Sequence, residues 1–275
     1  LELELQADIL RESAVSWRMK FNMARNWNRF EKSYSGKDVV DGDGTLLVVG
    51  RPLNGLYVWA HRGYYNSDAE VPRLYKIDGQ EIYFNGVATN GISGAVGDYR
   101  LLDLDGDGNP DSYYAGSPLP LAHGGWVNEL MWKNFDLNVL VNFTIGRKMI
   151  NNRMGLGFSR QSEDGHLTKL FDYRKLRPWD GVNKKPNAPA WGNSLSMNTD
   201  SAIEKVHHLA LKQITLGYNL PDRISKKAGL SGVRFFLTAE NLFYLSNYSG
   251  GNPEVVNIYT GRDNGDTYPL PRKYT

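Results

Sequence analysis

Phe135-Asp136-Leu137-Asn138-Val139-Leu140-Val141-Asn142-Phe143-Thr144-Ile145 sets Phe135, Leu137, Val139, Val141, Phe143 and Ile145 against Asp136, Asn138, Asn142 and Thr144. A period of two puts all those apolar side chains on one face of a β-strand. Trp126 to Lys133 precedes it across the turn Lys133-Asn134. The same pattern opens the chain, where Leu1, Leu3, Leu5, Ala7 and Ile9 alternate with Glu2, Glu4, Gln6 and Asp8. After a polar turn around Arg11 to Ser13, Val15, Trp17, Met19, Phe21 and Met23 alternate with Ser16, Arg18, Lys20, Asn22 and Ala24. Farther on, Ile214, Leu216, Tyr218 and Leu220 alternate with Thr215, Gly217 and Asn219. A turn at Pro221-Asp222 and a short stretch Ile224 to Leu230 lead to another β-rich run, Val233 to Tyr244. The first hairpin is longer than the usual strand of about five or six residues. Helical spacing is nowhere sustained, and its best candidate, Ala202 to Leu211, is short. The chain is predicted to be all-β.

Composition narrows the class. The 275 residues carry 32 Lys+Arg against 30 Asp+Glu, a formal charge of +2. That balance is too even for a nucleic-acid partner held by phosphate neutralisation. There is no cysteine, which excludes a disulfide scaffold and a thiolate metal site. The longest aliphatic run, Leu46 to Val49, falls far short of the roughly 18 apolar residues of a membrane-spanning helix. A membrane-spanning β-strand needs only about 10 residues with alternate positions apolar. Leu1-Glu2-Leu3-Glu4-Leu5 lacks the basic and apolar regions of a secretory leader. The expectation is therefore a cytoplasmic protein or a piece of something longer.

Between the strands lie long polar connections, about 30–118, 151–202 and 247–266, rich in Gly, Asn, Asp, Tyr and Trp. Connections of that length argue against a compact soluble domain. They are normal in outer-membrane barrels, which pair short turns on one side with long loops on the other. Trp17, Trp27, Trp126, Trp132 and Phe143 fall near segment ends, where an aromatic girdle would sit. The competing fold is a soluble β-sandwich whose alternating faces pack on each other.

Asp103-Leu104-Asp105-Gly106-Asp107-Gly108-Asn109-Pro110-Asp111 is the strongest local motif. Carboxylates at alternate positions, with a glycine for the sharp turn, wrap oxygen ligands around a hard cation. Asp103, Asp105, Asp107, Asn109 and Asp111 are the candidate metal ligands. Tyr114 stands where an EF-hand carries its bidentate Glu, so the loop is calcium-loop-like without being an EF-hand. All-oxygen ligation favours Ca²⁺ over Mg²⁺, with a rigidifying role. Asp41-Gly42-Asp43-Gly44 is a weaker acidic turn. His207 and His208 are adjacent, so on a strand they point to opposite faces and cannot share one metal. His61, His123 and His166 lack catalytic partners at a recognisable spacing, and Gly155-Leu156-Gly157-Phe158 is no nucleotide loop. No catalytic constellation or organic-cofactor motif emerges, so the chain is expected to bind or transport and not to be an enzyme.

Several stretches together resemble one family. Gly97-Asp98-Tyr99-Arg100, the acidic loop from Leu102 to Gly108, Gly116-Ser117-Pro118-Leu119-Pro120 and Lys133-Asn134-Phe135-Asp136-Leu137 come first. Leu209-Ala210-Leu211-Lys212-Gln213-Ile214-Thr215-Leu216-Gly217-Tyr218-Asn219-Leu220-Pro221 follows, then Ala239-Glu240-Asn241-Leu242-Phe243, Tyr248-Ser249-Gly250 and Asn252-Pro253-Glu254. Tyr268-Pro269-Leu270-Pro271-Arg272-Lys273-Tyr274-Thr275 completes the series. In combination and order these resemble the SusC/RagA-like TonB-dependent outer-membrane transporters. The resemblance implies a transmembrane antiparallel β-barrel of about 22 strands around an N-terminal plug. Residues 1–275 would be the C-terminal part of that barrel, about eight or nine strands, without the plug and the earlier strands. Backbone groups at exposed strand edges would be unsatisfied in lipid, so the remainder is expected in the same molecule.

The resemblance further implies TonB-dependent import of a nutrient such as an oligosaccharide or peptide. A SusD-like surface lipoprotein would cap the extracellular face, and TonB would act through the missing N-terminal part. Aromatic faces stack on sugar rings and amides satisfy hydroxyls. Trp59, Tyr64, Tyr65 and Trp191 are thus the candidate substrate-binding residues, with Tyr57 and Trp179 beside them. Three other readings are a soluble calcium-stabilised carbohydrate-binding sandwich, a glycan-cleaving enzyme and a SusC-like structural subunit of an outer-membrane assembly. The enzyme would need two convergent carboxylates, and no pair can be nominated.

Overall fold

The computed structural model describes residues 1–11, 14–40, 46–71, 74–75, 81–82, 96–106, 111–152, 174, 177–182, 184–190, 199–263, 265 and 268–275. The chain opens with the hairpin β1 (Glu2–Leu10) and β2 (Val15–Ala24). The first long connection holds β3 (Val39–Val40), β4 (Leu46–Leu47), β5 (Leu56–Trp59), β6 (His61–Tyr64), β7 (Leu74–Tyr75), β8 (Glu81–Ile82), β9 (Tyr99–Leu101) and β10 (Ser112–Gly116). Then come β11 (Ala122–Trp132), β12 (Phe135–Asn151), β13 (Ile203–Asn219), the short helix α1 (Asp222–Ser225), β14 (Arg234–Ser246), β15 (Arg262–Asp263) and β16 (Lys273–Tyr274). One antiparallel sheet runs β1-β2-β11-β12-β13-β14-β16, with β15 alongside the end of β12 in parallel.

Register turns the sequence alternation into two faces. Phe21 pairs Trp126, Trp126 pairs Val141, and Leu137 pairs Leu216, which in turn pairs Leu237. Directly opposed residues point to the same side. One face therefore collects Leu3 and Leu5, the odd positions of β2, the odd positions of β12 from Phe135 to Ile145, Leu209, Leu211, Ile214 and Leu216 of β13, and Phe235, Leu237, Phe243 and Leu245 of β14. Asn128 is a polar exception, and its Oδ1 accepts from Trp17 Nε1 at 3.1 Å. Among the described residues no second sheet packs on this face alongside Phe135 to Ile145; only beyond Gly146 does the β5–β10 pair cover Ile150 and Ile203. Phe235, Leu237 and Leu245 are 61%, 60% and 64% exposed. A sandwich would bury them, so that alternative fails.

The buried clusters lie elsewhere. Leu56, Val58, Ala115 and Ile150 form one, packed by Ala202 and Ile203; Met149, Val206, Tyr248 and Val256 form the other. Both draw on the far end of β12, the start of β13 and the connections. The short connections after β1, β11 and β13 all leave from the opposite end of the sheet, and the three long connections all emerge at the clustered end. Phe135 to Ile145, at about 3.3 Å per residue, spans about 33 Å, and a tilt of about 40° reduces that to about 25 Å, the height of a barrel's apolar band.

Two local expectations need correction. Ala202 to Leu211, the best helical candidate, is nearly all strand, because β13 begins at Ile203. Its upper half buries Val206 and Ala210 inward while Lys205 and His207 are exposed, so no simple apolar period marks it. Trp126 lies mid-strand, opposite Phe21 and Val141, and Trp27 lies beyond the end of β2. The aromatics that do mark a boundary are at the turn end. Trp132 stacks on Phe135 at 6.1 Å, and Phe135 meets Tyr218 at 4.6 Å between ring centroids. Phe143 stacks on Phe21 at 5.7 Å nearer the loop end.

Candidate functional site

The second face of the sheet is polar and internally paired. Asp8 Oδ1 accepts from Arg18 at 2.7 Å, and its Oδ2 accepts from Arg11. Lys20 reaches Glu129 at 2.8 Å across β2 and β11. Asp136 and Arg234 meet at 2.6 Å across the intervening β13. Gly217 of β13 leaves them room, since a Cβ there would lie 2.5 Å from the Asp136 carboxylate and 2.6 Å from the Arg234 guanidinium. Thr215 and Thr238 hydroxyls share a 3.0 Å hydrogen bond, and Asn22 Oδ1 accepts from the Gly125 amide at 2.7 Å. Asp136, Asn138 and Asn142 all lie on this face, opposite to Val139 and its apolar neighbours.

At the loop end, β5 pairs β10 and β6 pairs β9, which puts the acidic loop between β9 and β10. Ala60, at the corner between β5 and β6, accepts from the Leu102 amide at 3.0 Å and donates to Asp111 O at 3.1 Å. Asp103, Asp105 and Asp111 bring carboxylate oxygens within 4.8 Å of one another. Asp111 Oδ2 accepts from the Leu104 and Asp105 amides at 2.5 and 3.2 Å, and Asp103 Oδ1 accepts from Gly106 N at 2.6 Å. Gly106 has φ +85°, a left-handed turn that suits glycine. Oxygen donors converging around such a turn fit a hard cation. Asp107 and Asn109 lie outside the described residues, as do Trp191, His166, 41–44 and 155–158.

The loop aromatics are woven into the connection. Tyr57 packs on Tyr114, and Tyr64 stacks on Tyr99 at 5.4 Å. Tyr65 is only 4% exposed and exchanges backbone hydrogen bonds with Gly97 and Asp98, so it packs the loop. Trp59 pairs Ser112 and bridges to Thr199, and Trp179 Nε1 donates to Asn66 at 3.2 Å. Burial pushes the phenols of Tyr64 and Tyr99 above their ordinary range.

Sequence reasoning missed the ties between connections. His61 Nδ1 meets Asp200, whose other oxygen accepts from Tyr113 at 3.0 Å, so the first connection is fastened to the start of β13. Arg147 was equally silent. It is 5% exposed and donates to the carbonyls of Pro253, Val256 and Asn257. These partners are about a hundred residues away, and no local spacing announces them. His207 and His208 do point to opposite sides, His207 exposed and His208 inward.

Known proteins carry the same wall. TonB-dependent receptor P3 of Formosa agariphila is 24% identical over 298 residues, covering 100% of this chain and 27% of that protein. TonB-dependent receptor SusC of Bacteroides thetaiotaomicron is 25% identical over 288 residues, covering 100% of this chain and 25% of its own length. Among solved structures, the RagAB peptide transporter superposes with a TM-score of 0.68 at 22% identity, over 99% of this chain and 28% of that one. The chain is SusC/RagA-like. The open-open state of the RagAB peptide importer gives a TM-score of 0.63 at 20% identity over 90% of this chain and 25% of that one. No protein-family profile matches. The SusC/RagA-like chain spans about a quarter of the length of the curated relatives it matches. Its antiparallel sheet is a portion of a TonB-dependent-receptor barrel in fold. Relatives named as receptors and importers accord with the expectation that the chain is no enzyme. No described helix is long and apolar enough to cross a membrane, which is silent about strands.

Proposed function

We propose that this chain is part of the wall of an outer-membrane TonB-dependent importer. The whole protein takes up an oligosaccharide or peptide beneath a SusD-like surface lipoprotein, driven by TonB acting through the plug. The observation that carries this reading is the uncovered apolar face, about 25 Å high, backed by a polar face whose charges are paired. Hydrocarbon suits the first side and water with cargo the second. Relatives named for TonB dependence and a neighbour named as a peptide transporter support it. Trp59, Tyr64 and Trp191 serve as cargo-facing aromatics in this reading, with Tyr65 as their buried support. Cells expressing the full-length protein should accumulate either a labelled peptide mixture or labelled oligosaccharides, and should stop doing so when TonB is deleted. Undiminished accumulation without TonB would sink the proposal.

The acidic loop holds Ca²⁺ in this reading, with Asp103, Asp105 and Asp111 as ligands and Asp107 and Asn109 completing the shell. Three converging carboxylates repel unless a cation compensates, which is the physical support. The ion rigidifies the connection between β9 and β10 and carries no reaction step. An ion at a hundred times its Kd stabilises by about 2.7 kcal/mol, or about 100-fold in local opening. Chelation with EGTA, and separately Asp105→Asn with Asp107→Asn, should therefore speed proteolysis within 96–116 by up to about that factor. Unchanged cleavage in both arms would remove calcium from the account.

A further inference from the structure

Near the loop end the polar face carries a hollow of about 350 Å³, within the roughly 300–1,000 Å³ of ligand sites. Register builds it. Asn22 of β2 pairs Gly125 of β11, which pairs Asn142 of β12, which pairs Ala210 of β13. Two residues farther toward the loops the row reads Ala24, His123, Thr144 and His208. Directly opposed residues share a face, so these side chains rim the space that Gly125 leaves by lacking one. A Cβ on Gly125 would lie 3.3 Å from Asn142 Oδ1 and 3.5 Å from Asn22 Oδ1, so both amides lean over the glycine. Val127 and Leu140, two residues nearer the turns, close the hollow with apolar surface.

The charges nearer the turns satisfy one another, as Lys20 with Glu129 and Asp136 with Arg234 do, but the rim of this hollow does not. The side chains of His123, Asn142, Thr144 and His208 have no hydrogen-bond partner among the described residues. Asn22 uses only Oδ1, which accepts from the Gly125 amide at 2.7 Å. Each imidazole shuts Nδ1 away from solvent unpaired, so Nε2 is the nitrogen it offers. Glu254 reaches the same hollow but is held by Lys212 at 3.2 Å. The free set among the described residues is thus two amides, a hydroxyl and two imidazoles, with no free carboxylate, Lys or Arg. Amide, hydroxyl and neutral imidazole each donate and accept, as a sugar hydroxyl does. A peptide's charged termini need a counter-charge once desolvated, and an extended peptide backbone pairs at an open strand edge. Here the ladders of β2, β11, β12 and β13 are paired with one another.

We infer that this hollow is a subsite on the wall for an uncharged saccharide ring. The ring lies over Gly125 between Asn22 and Asn142, with His123, Thr144 and His208 on its loop side and Val127 and Leu140 against its C–H surface. This names the cargo class of the import reading above and rests on it, and the experiment separates the two. Full-length protein in detergent is titrated with neutral oligosaccharides, with the same oligosaccharides carrying uronates and with a tryptic peptide mixture, and bound mass is read by native mass spectrometry. Wild type should retain the neutral oligosaccharides over both others. A neutral hydrogen bond is worth about fivefold, so Asn142→Leu with Thr144→Val should weaken that binding by about 25-fold. Gly125→Leu, which fills the hollow, should abolish it, and Asn138→Leu, on the same face but outside the hollow, should leave it unchanged. If Gly125→Leu fails to fold, the double variant carries the test, since both of its replacements keep side-chain size. Wild type that retains peptides or uronates at least as well as neutral sugars, or a double variant with wild-type affinity, overturns the inference. Unchanged sugar binding with faster proteolysis of the N-terminal part in the double variant also overturns it and assigns the hollow to the plug. Binding in detergent needs no TonB, so TonB-independent accumulation in cells would sink the import reading and leave this result standing.

Discussion

Val139→Arg in the full-length protein should lower folding stability in a bilayer by about 2–4 kcal/mol, while Asn138→Arg next to it should change little. The two residues differ by one step along β12 and so point to opposite faces. Val139 lies opposite Asn128 and Ile214 on the apolar side, near the middle of Phe135 to Ile145, which the proposed membrane reading sets at the bilayer midplane. Asn138 lies opposite Glu129 and Thr215 among paired polar groups. An arginine at Val139 is too far from either boundary to place its guanidinium fully in water, whereas one at Asn138 joins an aqueous interior. Urea titration of protein refolded into vesicles measures both. Equal losses, or a cost at Asn138 alone, would show that the faces have been assigned the wrong way round.

How much of this was legible depends on what each segment faces. In 135–145 one side is apolar and uncovered and the other polar, so the two-residue period is nearly unbroken, and the strand, its face and its turn at Lys133-Asn134 follow from the letters. Above Ile145 the same strand passes between loops. Lys148 is then occupied on the outer side while Arg147 and Met149 are buried inward, and the period dissolves. For the same reason β13 starts well before the alternation from Ile214 reveals it. The acidic loop was readable because its donors are consecutive. The His61–Asp200–Tyr113 tie was not, because its members come from distant connections and only the folded loop end joins them. Two-strand bulges are equally hidden: Asn241, at φ +52°, absorbs an extra residue between Glu240 and Phe243. Family resemblance supplied what periodicity lacked, namely that these strands are part of a larger wall.

Arg147→Met should loosen the third long connection by about 3 kcal/mol, with more than a hundredfold faster hydrogen exchange at the amides of Ile150 and Gly261. The guanidinium donates to Pro253 O at 3.2 Å, Val256 O at 2.9 Å and Asn257 O at 2.7 Å, and no described carboxylate neutralises it. Its role is thus to close backbone acceptors rather than to form an ion pair. A hydrogen bond from a charged donor contributes about 1.5–3 kcal/mol, and a buried carbonyl left unpaired costs about 1–3 kcal/mol. Relief from burying the cation offsets part of that loss, which is why the net figure stays near about 3 kcal/mol rather than the sum. Ile150 N donates to Gly261 O at 2.8 Å and Asn152 N to Asp263 O at 2.9 Å, so these bonds open once the segment is released. Arg147→Lys retains charge but not the planar fork and should recover only part of the protection. Protection unchanged in the Met variant would mean that Tyr248, through its 2.6 Å bond to Asp263, and Glu204, through Ser249, hold the segment without the arginine.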